Sequence, residues 1–282
     1  MSTVAVVSDV EPIKHEVRDG VGILTLNRPT RLNAWAPGMG RIYFDLLEKM
    51  ARDPDVRVIL LRGEGRAFCA GADMGGLSEL AGGADVSGVR DTRPYWLPLA
   101  IGKPIVAAVQ GPCIGMGVQL MLFSDVRFVA EDLKLSAVYA KRGLIAELGM
   151  SWMLPRLVGV GAALDLFLSG RNVDAQEALS LGLATRVVKT EELFDAAFEY
   201  CANMAATCAP SSLRTLKQQI YSDLINNLDV AYDRSEVLLT ETLAGADFAE
   251  GITAFKEKRA PQFPPLDPEL WSYDLPLGKK PS

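Results

Sequence analysis

Stretches typical of β-strands alternate with stretches typical of α-helices through the first two thirds of the sequence. The strand-like stretches are short and apolar, and the helix-like stretches repeat apolar residues along one helix face. In chain order they are strands 13–17 and 21–26, helix 39–51, strands 56–61 and 105–109, helix 116–123 and strand 126–129. A strand, a helix and a strand in succession predict a parallel crossover, so the pattern indicates an α/β fold. The pair Asp19-Gly20 between the first two strands predicts a β-hairpin.

The C-terminal part of the sequence loses the strand-like stretches. From about residue 209 the pattern predicts helices, at residues 211–224, 230–244 and 249–258. A proline-rich tail follows at residues 261–282, and we expect it to be irregular. We therefore divide the chain into a core, residues 1–208, and a helical C-terminal subdomain with its tail, residues 209–282. Gly, Ala, Asp and Ser dominate residues 75–93, which predicts a mobile loop there.

Composition and charge exclude several classes of protein. The chain has 282 residues, of which 49% are hydrophobic and 23% charged, as in ordinary globular proteins. Its formal net charge of −6 disfavours a surface that follows the phosphates of a nucleic acid. The single histidine, His15, rules out a histidine-rich metal site. We therefore expect a protein that binds neither nucleic acid nor metal.

Features that would direct the chain to a membrane or an oxidising compartment are missing from the sequence. The four cysteines have no CxxC spacing and are expected to be reduced thiols. The sequence begins without a basic signal segment, and it contains no uncharged apolar run of about 18 residues. We therefore expect a cytoplasmic protein with no membrane partner.

Two glycine-containing turns, residues 68–74 (FCAGADM) and 111–117 (GPCIGMG), each join the end of a predicted strand to the start of a helix. In that geometry free backbone N–H groups point outward with the helix dipole behind them, which suits a developing negative charge. Taken alone, such a turn more often reflects tight packing than a catalytic or binding site. Neither turn has the spacing of a phosphate loop or a dinucleotide-binding fingerprint, so nucleotide hydrolysis is disfavoured.

Six segments appear in the order NRPTRLNAW, GRAFCAGADM, KPIVAAVQGPCIGMG, SDVRF, RGLIAELGMSWMLPRLVG and LSGRNVDAQEALSLGLATRVV. With these motifs the sequence resembles the crotonase superfamily, the enoyl-CoA hydratase/isomerase family, over residues 12 to about 260. The resemblance implies an α/β fold with a ββα spiral core and C-terminal helices that drive assembly of a homotrimer or a dimer of trimers. It also implies an acyl-CoA thioester as substrate, with coenzyme A as part of that substrate and no separate cofactor.

The resemblance implies roles for residues in and around the two turns. The thioester oxygen would accept hydrogen bonds from the backbone N–H groups of Ala72 and Met116, which would form an oxyanion hole. Contacts to coenzyme A are implied for Arg31, Leu32, Ala70, Asp73, Met74, Gly115 and Lys258. Arg31 and Lys258 would pair with phosphates, Lys258 from a neighbouring subunit, although each is equally typical of a solvated surface charge. Asp73 is also typical of a helix N-cap.

The sequence departs from the hydratase pattern at both catalytic glutamates. The family's two glutamate positions fall on Gln119 and Tyr139. The Gln119 amide takes up no proton at neutral pH. The Tyr139 phenol, with an ordinary pKa of about 10, is a poor base, but it can donate a hydrogen bond. Water addition by two carboxylates is therefore disfavoured.

Glu147, four residues after Gly143, lies at a position where several isomerases of the superfamily carry a catalytic carboxylate. Its neighbours are apolar, so desolvation is expected to raise its pKa toward the range of a general base. The alternative is that Glu147 caps a helix that starts at Met150. Glu147, Ala72, Met116, Gln119 and Tyr139 are thus the candidate catalytic residues.

The function predicted from the sequence is an acyl-CoA enzyme of enoyl-CoA hydratase/isomerase type, with an enolate held by the oxyanion hole and Glu147 as general acid and base. Alternatives are a catalytically weak acyl-CoA-binding protein, which the loss of both glutamates suggests, and a C–C hydrolase that uses the same hole. A structural oligomeric scaffold would leave the two turns without a purpose.

Overall fold

The computed structural model describes residues 11–73, 75, 78, 82 and 91–268. It opens with an antiparallel hairpin of strands β1 (Ile13–Arg18) and β2 (Val21–Leu26). Asp19 and Gly20, which join the strands, have φ angles of 51° and 76°. A type I′ hairpin turn requires positive φ at both central positions, and this pair of residue types accommodates it. The predicted hairpin is therefore confirmed.

The strands after the hairpin build a mixed sheet and a small second sheet. They are β3 (Val58–Gly63), β4 (Ile105–Val109), β5 (Pro112–Ile114), β6 (Val126–Ala130), β7 (Lys134–Ser136) and β8 (Arg186–Val188). The main sheet has the order β1-β2-β3-β4-β6-β8, and every pair from β2 onward is parallel. Strands β5 and β7 pair in parallel as the second sheet. The predicted parallel crossovers are thus confirmed, with β3 two residues later than expected.

Nine α-helices lie in the parts of the chain that the structure describes. They are α1 (Met39–Arg52), α2 (Leu97–Ala100), α3 (Met116–Leu122), α4 (Met150–Ser169), α5 (Ala175–Ser180), α6 (Leu193–Thr207), α7 (Pro210–Asp223), α8 (Leu228–Leu243) and α9 (Ala246–Glu257). The three helices predicted after residue 209 correspond to α7, α8 and α9. The division of the chain at residue 208 remains a prediction.

Both faces of the main sheet are covered, and this explains the continuous apolar run of its central strand. In β3, Ile59 and Leu61 belong to the larger core cluster, which also contains residues of α1, α3 and α4. Val58 and Leu60 face the other side, where α6 supplies the opposing side chains. Because strand side chains alternate between faces, a central strand with helices on both sides carries apolar residues on both faces, as Val58–Leu61 do.

Helix α4 is long and apolar. Among the described residues it is the one helix long and apolar enough to cross a membrane by length and composition. Gly159 has non-helical φ and ψ of 78° and 161°, and Pro155 lies inside the same helix. Because a membrane span needs about 20 consecutive helical residues, this break divides α4 into pieces that are shorter than a span.

The structure describes part of each of the two segments that were predicted to be irregular. Residues 261–267 form neither helix nor strand, as expected for the proline-rich tail, and the remainder of the tail from residue 269 lies outside the described residues. Most of the loop predicted at residues 75–93 also lies outside them.

Candidate active site

The two glycine turns that the sequence singled out lie side by side. Cys69, in the turn after β3, forms a parallel bridge with Cys113 in β5. The Cys69 N–H donates to the Pro112 carbonyl oxygen over 3.1 Å, and the Ile114 N–H donates to the Cys69 carbonyl oxygen over 2.9 Å. The segment predicted as a turn after β4 therefore contains the short strand β5, which holds it against the first turn.

Two glycines allow this close approach. A Cβ atom on Gly117 would lie 2.3 Å from the Cys69 carbonyl oxygen, a distance that no side chain tolerates. Gly71 has a φ of 95°, and a Cβ there would lie 3.0 Å from the Ile114 carbonyl oxygen. The absence of a side chain at both positions is thus a condition for the contact between the turns.

Ala72 and Met116 present backbone N–H groups from equivalent positions, since each lies three residues after the bridged pair Cys69 and Cys113. Ala72 bridges Trp35, whose N–H donates to Gly71 and whose carbonyl oxygen accepts from Asp73. In this pattern the Ala72 N–H points away from Trp35, and no backbone acceptor for it occurs in the described chain.

Met116 is the first residue of α3, where an N–H has no partner within the helix. The preceding Gly115 forms no side-chain cap hydrogen bond, so this helix start is open. The structure therefore brings the two predicted donors to neighbouring turns with their N–H groups available. That arrangement can stabilise negative charge on a carbonyl oxygen.

Most of the residues implied in coenzyme A binding lie beside the first turn. The Ala70 N–H donates to the Leu32 carbonyl oxygen over 3.0 Å, and Arg31 is exposed on the 3-10 turn that ends at Leu32. Asn33, fully buried, fixes this segment because its amide donates to the carbonyl oxygens of Glu64 (2.9 Å) and Ala67 (2.7 Å). Met74 lies outside the described residues.

Asp73 has partners that the sequence did not predict. Arg28 pairs with the Asp73 carboxylate over 3.0 Å and also donates to the Ala34 carbonyl oxygen. The other Asp73 oxygen accepts from the Gly75 N–H over 3.0 Å, as a capping side chain would. Arg28 therefore connects the NRPTRLNAW segment to the first turn. In the sequence, only the position of Arg28 within that motif indicated a role at this site.

Lys258 is exposed at the end of α9, with a left-handed φ of 55°. No hydrogen bond or ion pair within the described residues joins it to either glycine turn. The segment after α9 reaches the sheet at Arg57, which donates to the Phe263 carbonyl oxygen over 2.6 Å just before β3 begins. Arg57 precedes β3, whereas the first turn follows it, so this contact lies at the opposite end of the strand from the first turn.

Gln119 and Tyr139, which replace the two glutamates of the hydratase pattern, are both buried near the second turn. Gln119 lies in α3 and is 2% exposed, and its side-chain amide has no hydrogen-bond partner among the described residues. Tyr139 is 5% exposed and donates a long hydrogen bond of 3.5 Å to the Gly115 carbonyl oxygen. Burial, and after it the nearby Glu147 carboxylate, raises the pKa of Tyr139, so the phenol stays neutral.

Glu147 is half-buried in the loop before α4. The loop that carries Glu147 is joined to Tyr139, because the Leu144 N–H donates to the Tyr139 carbonyl oxygen over 2.9 Å, and the Tyr139 hydroxyl contacts Gly115 next to Met116. The N-cap of α4 is Gly149, which has no side chain to cap the helix, and Glu147 lies two residues before it. The structure thus brings Tyr139, the loop that carries Glu147 and the second turn together.

Cysteine chemistry and metal binding find little support at this site. Cys69 and Cys113 are fully buried, and burial raises the pKa of the Cys69 thiol to about 12, which suppresses the reactive thiolate. The described residues contain no group of three or more His, Cys, Asp or Glu side chains that could hold a metal ion. The two turns offer backbone N–H groups, and the loop before α4 offers the carboxylate of Glu147.

Comparisons with known proteins show which family has this fold and these two turns. A family description of enoyl-CoA hydratase/isomerase matches residues 16–265. The 1,2-epoxyphenylacetyl-CoA isomerase of Escherichia coli (strain K12) is 37% identical, with 90% of this chain and 98% of that protein covered. The (E)-benzylidenesuccinyl-CoA hydratase of Thauera aromatica is 32% identical over 89% of this chain and 98% of that protein.

A solved structure supports the same assignment. The enoyl-CoA hydratase from Polaromonas sp. JS666 superposes with a TM-score of 0.81 at 28% identity, with 89% of this chain and 99% of that chain covered. The chain belongs to the enoyl-CoA hydratase/isomerase family, and the predicted crotonase-like fold is confirmed. Membership in this family implies an acyl-CoA thioester as the substrate.

Proposed function

We propose that this protein is an acyl-CoA isomerase that shifts a carbon–carbon double bond through an enolate intermediate, with Glu147 as the single general acid and base. The observation that carries the proposal is that Tyr139 contacts Gly115 at the start of α3 and also accepts a hydrogen bond from Leu144, in the loop that carries Glu147. A carboxylate on this loop would meet the carbon atoms next to a carbonyl group held at the Met116 N–H. Family membership supports an enzyme that acts on such thioesters.

The proposed reaction is a proton transfer within one substrate molecule. The Glu147 carboxylate removes a proton from the α carbon of a 3-enoyl thioester, and the electron pair moves onto the thioester oxygen and the adjacent double bond. The N–H groups of Ala72 and Met116 stabilise that oxygen. The resulting carboxylic acid returns the proton to the γ carbon, which leaves the double bond between the α and β carbons. Nothing is oxidised or reduced, so no separate cofactor is required.

Hydration is less well supported because it needs a second group to activate water. Gln119 has no ionisable group, and the raised pKa of Tyr139 keeps its phenol from acting as a base. Both residues can instead orient the substrate through neutral hydrogen bonds. Among the relatives, the E. coli protein is named as an isomerase and the Thauera aromatica protein as a hydratase.

We also propose that the chain works as a homotrimer or a dimer of trimers in the cytoplasm. Large apolar side chains are exposed on α4 and on the C-terminal helices, and solvent-facing residues of this kind mark contacts between subunits. They include Val160, Leu164, Leu168, Ile220, Leu228, Val237 and Phe255. In such an assembly Lys258 of one subunit would bind a coenzyme A phosphate at the site of its neighbour.

The test is a spectrophotometric assay of the purified protein with 3-enoyl-CoA and 2-enoyl-CoA thioesters. Glu147→Gln, which keeps the shape and removes the charge, should lower kcat by about 10²–10⁴-fold while acyl-CoA affinity is kept. The matched control is Glu131→Gln, an exposed glutamate between β6 and β7, which should turn over like the unchanged protein.

The possible outcomes separate the candidate functions. Isomerisation that is lost with Glu147→Gln supports the proposal. Turnover that survives the substitution removes Glu147 from the mechanism. Water addition to 2-enoyl-CoA without isomerisation would identify a hydratase, and binding without turnover of any thioester would identify an acyl-CoA-binding protein.

A further inference from the structure

Leu148, the residue after Glu147, has a backbone conformation that leucine rarely adopts. Five described residues other than glycine have positive φ, namely Asp19, Leu32, Asn33, Leu148 and Lys258. Asp and Asn enter this left-handed region readily because their short polar side chains bond locally. Leu148 has a φ of 57°, which brings its Cβ too close to the following carbonyl oxygen. The position therefore carries strain that another residue type would relieve.

The local turn does not require leucine. The Met150 N–H donates to the Glu147 carbonyl oxygen over 3.0 Å, and both residues between them, Leu148 and Gly149, have positive φ. This is the pattern of a type I′ turn, for which Asn-Gly is the favoured central pair. Asparagine at position 148 would thus form the same turn with less strain.

Core packing does not explain the leucine either. Leu148 is half-buried, and it belongs to neither core cluster nor to the partly buried side chains packed against them. Its neighbours Ala146 and Trp152 do pack against the larger cluster. A strained residue without compensation from the core points to a role at the adjacent site.

The side chains around Glu147 indicate what that role is. Leu144 and Ile145, in the same loop, are apolar and exposed by 43% and 79%. Tyr139, whose carbonyl oxygen accepts from the Leu144 N–H, adds an aromatic ring beside this loop. A ligand that brings its α carbon to Glu147 would therefore meet apolar surface with the rest of its acyl group.

We propose that Leu148 is a specificity-determining residue whose side chain forms a wall of the acyl pocket, and that the acyl group is hydrophobic and extends beyond the reacting carbons. This inference rests on the proposed function, because it takes Glu147 as the residue that meets the α carbon. The strain at Leu148 is then the cost of placing an apolar side chain directly beside the base.

The test compares Leu148→Asn with Leu32→Asn in the full-length protein. Leu32 also has positive φ (50°), so both substitutions relieve the same kind of strain and both should raise Tm. Calorimetry would measure binding of acetyl-CoA, octanoyl-CoA and phenylacetyl-CoA, none of which needs turnover. The unchanged protein should prefer the two larger thioesters, and Leu148→Asn should reduce that preference about tenfold.

Leu32→Asn serves as the matched control because Leu32 lies on the side predicted to hold coenzyme A. It should change the affinity for all three thioesters by the same factor and leave the preference intact. The inference is overturned if Leu148→Asn keeps the preference, if the unchanged protein shows none, or if Leu148→Asn lowers Tm. A change in native mass with an unchanged preference would assign Leu148 to a subunit contact instead.

The same measurements separate this inference from the proposed mechanism. If Glu147→Gln keeps full turnover while Leu148→Asn loses its preference for large acyl groups, Glu147 is not the acid and base, but Leu148 still lines the acyl pocket. If Glu147→Gln is inactive while Leu148→Asn binds all three thioesters as the unchanged protein does, the mechanism stands and the pocket wall fails.

Discussion

At the scale of single residues, the spacing between the two N–H donors depends on a contact between backbones. Gly117 packs against the Cys69 carbonyl oxygen, where a Cβ would come within 2.3 Å. Gly117→Ala should therefore push the two turns apart, lower the free energy of unfolding by about 1–3 kcal/mol, and reduce kcat with 3-enoyl-CoA. Urea denaturation and the enoyl-CoA assay measure the two effects.

The control for this substitution is Gly161→Ala in α4, where a Cβ would meet no atom within 4 Å. Alanine in a helix is more favourable than glycine by about 0.5–1 kcal/mol, so this variant should be as stable as the unchanged protein or more so, and equally active. Equal kcat for Gly117→Ala and the unchanged protein would show that the spacing between the turns has no part in catalysis.

The sequence was sufficient to locate the residues of the site that belong to one motif. Ala72 and Met116 were predicted from the resemblance to the family, by their positions in two turns that are each a continuous segment after a strand. The pairing of Arg28 with Asp73 was missed, since the partners are 45 residues apart and no local pattern connects them. The contact of Tyr139 with Gly115 likewise depends on how the chain before α4 folds back toward the second turn.

At the scale of secondary-structure elements, a buried lysine connects helix α7 to the core through an ion pair and hydrogen bonds. The Lys217 ammonium group pairs with Asp125 over 2.7 Å and donates to the carbonyl oxygens of Pro98 (2.9 Å) and Lys103 (3.1 Å). Lys217→Met should leave the half-buried Asp125 carboxylate without its paired ammonium group and lower the free energy of unfolding by about 3 kcal/mol. Tyr221 also donates to Asp125, over 2.9 Å.

Tyr221→Phe is the graded control, because it removes one hydrogen bond from the same carboxylate and keeps the ring. It should cost about 1–2 kcal/mol, so urea denaturation should rank the unchanged protein first, Tyr221→Phe second and Lys217→Met last. Hydrogen exchange should show the loss of protection concentrated in α7. Equal stability of the two variants would contradict a charge-based attachment of this helix.

Long elements with a clear period could be predicted, and short elements could not. The hairpin, α1, β4, α3 and the C-terminal helices each repeat apolar residues often enough to identify their type. Strands β5, β7 and β8 have three residues each, too few to show alternation, and they exist because distant segments pair with them. The break at Gly159 was also unpredicted, since glycine inside a helical pattern does not specify its φ and ψ.

At the scale of the whole molecule, the exposed apolar residues of the C-terminal helices predict an assembly. Leu228 and Phe255 are 81% and 84% exposed, which is unfavourable for side chains of this size in an isolated chain. We expect a native mass of three or six times the 30.5 kDa chain mass in analytical ultracentrifugation. A mass of one chain would contradict both the assembly and a site completed by a neighbour.

An assembly of this kind makes the position of Lys258 testable by complementation. Lys258→Glu should raise KM by about tenfold or more, since a charge-assisted contact to phosphate contributes about 1.5–3 kcal/mol, and Glu147→Gln should be inactive. When both variants are coexpressed with different tags and the hybrid is purified through both, some sites combine an intact Glu147 with an intact Lys258 from the neighbouring chain. At substrate concentrations below KM, the hybrid should exceed the average of the two parent variants. If Lys258 instead serves the site of its own chain, no site in the hybrid is complete, and the activity should stay at that average.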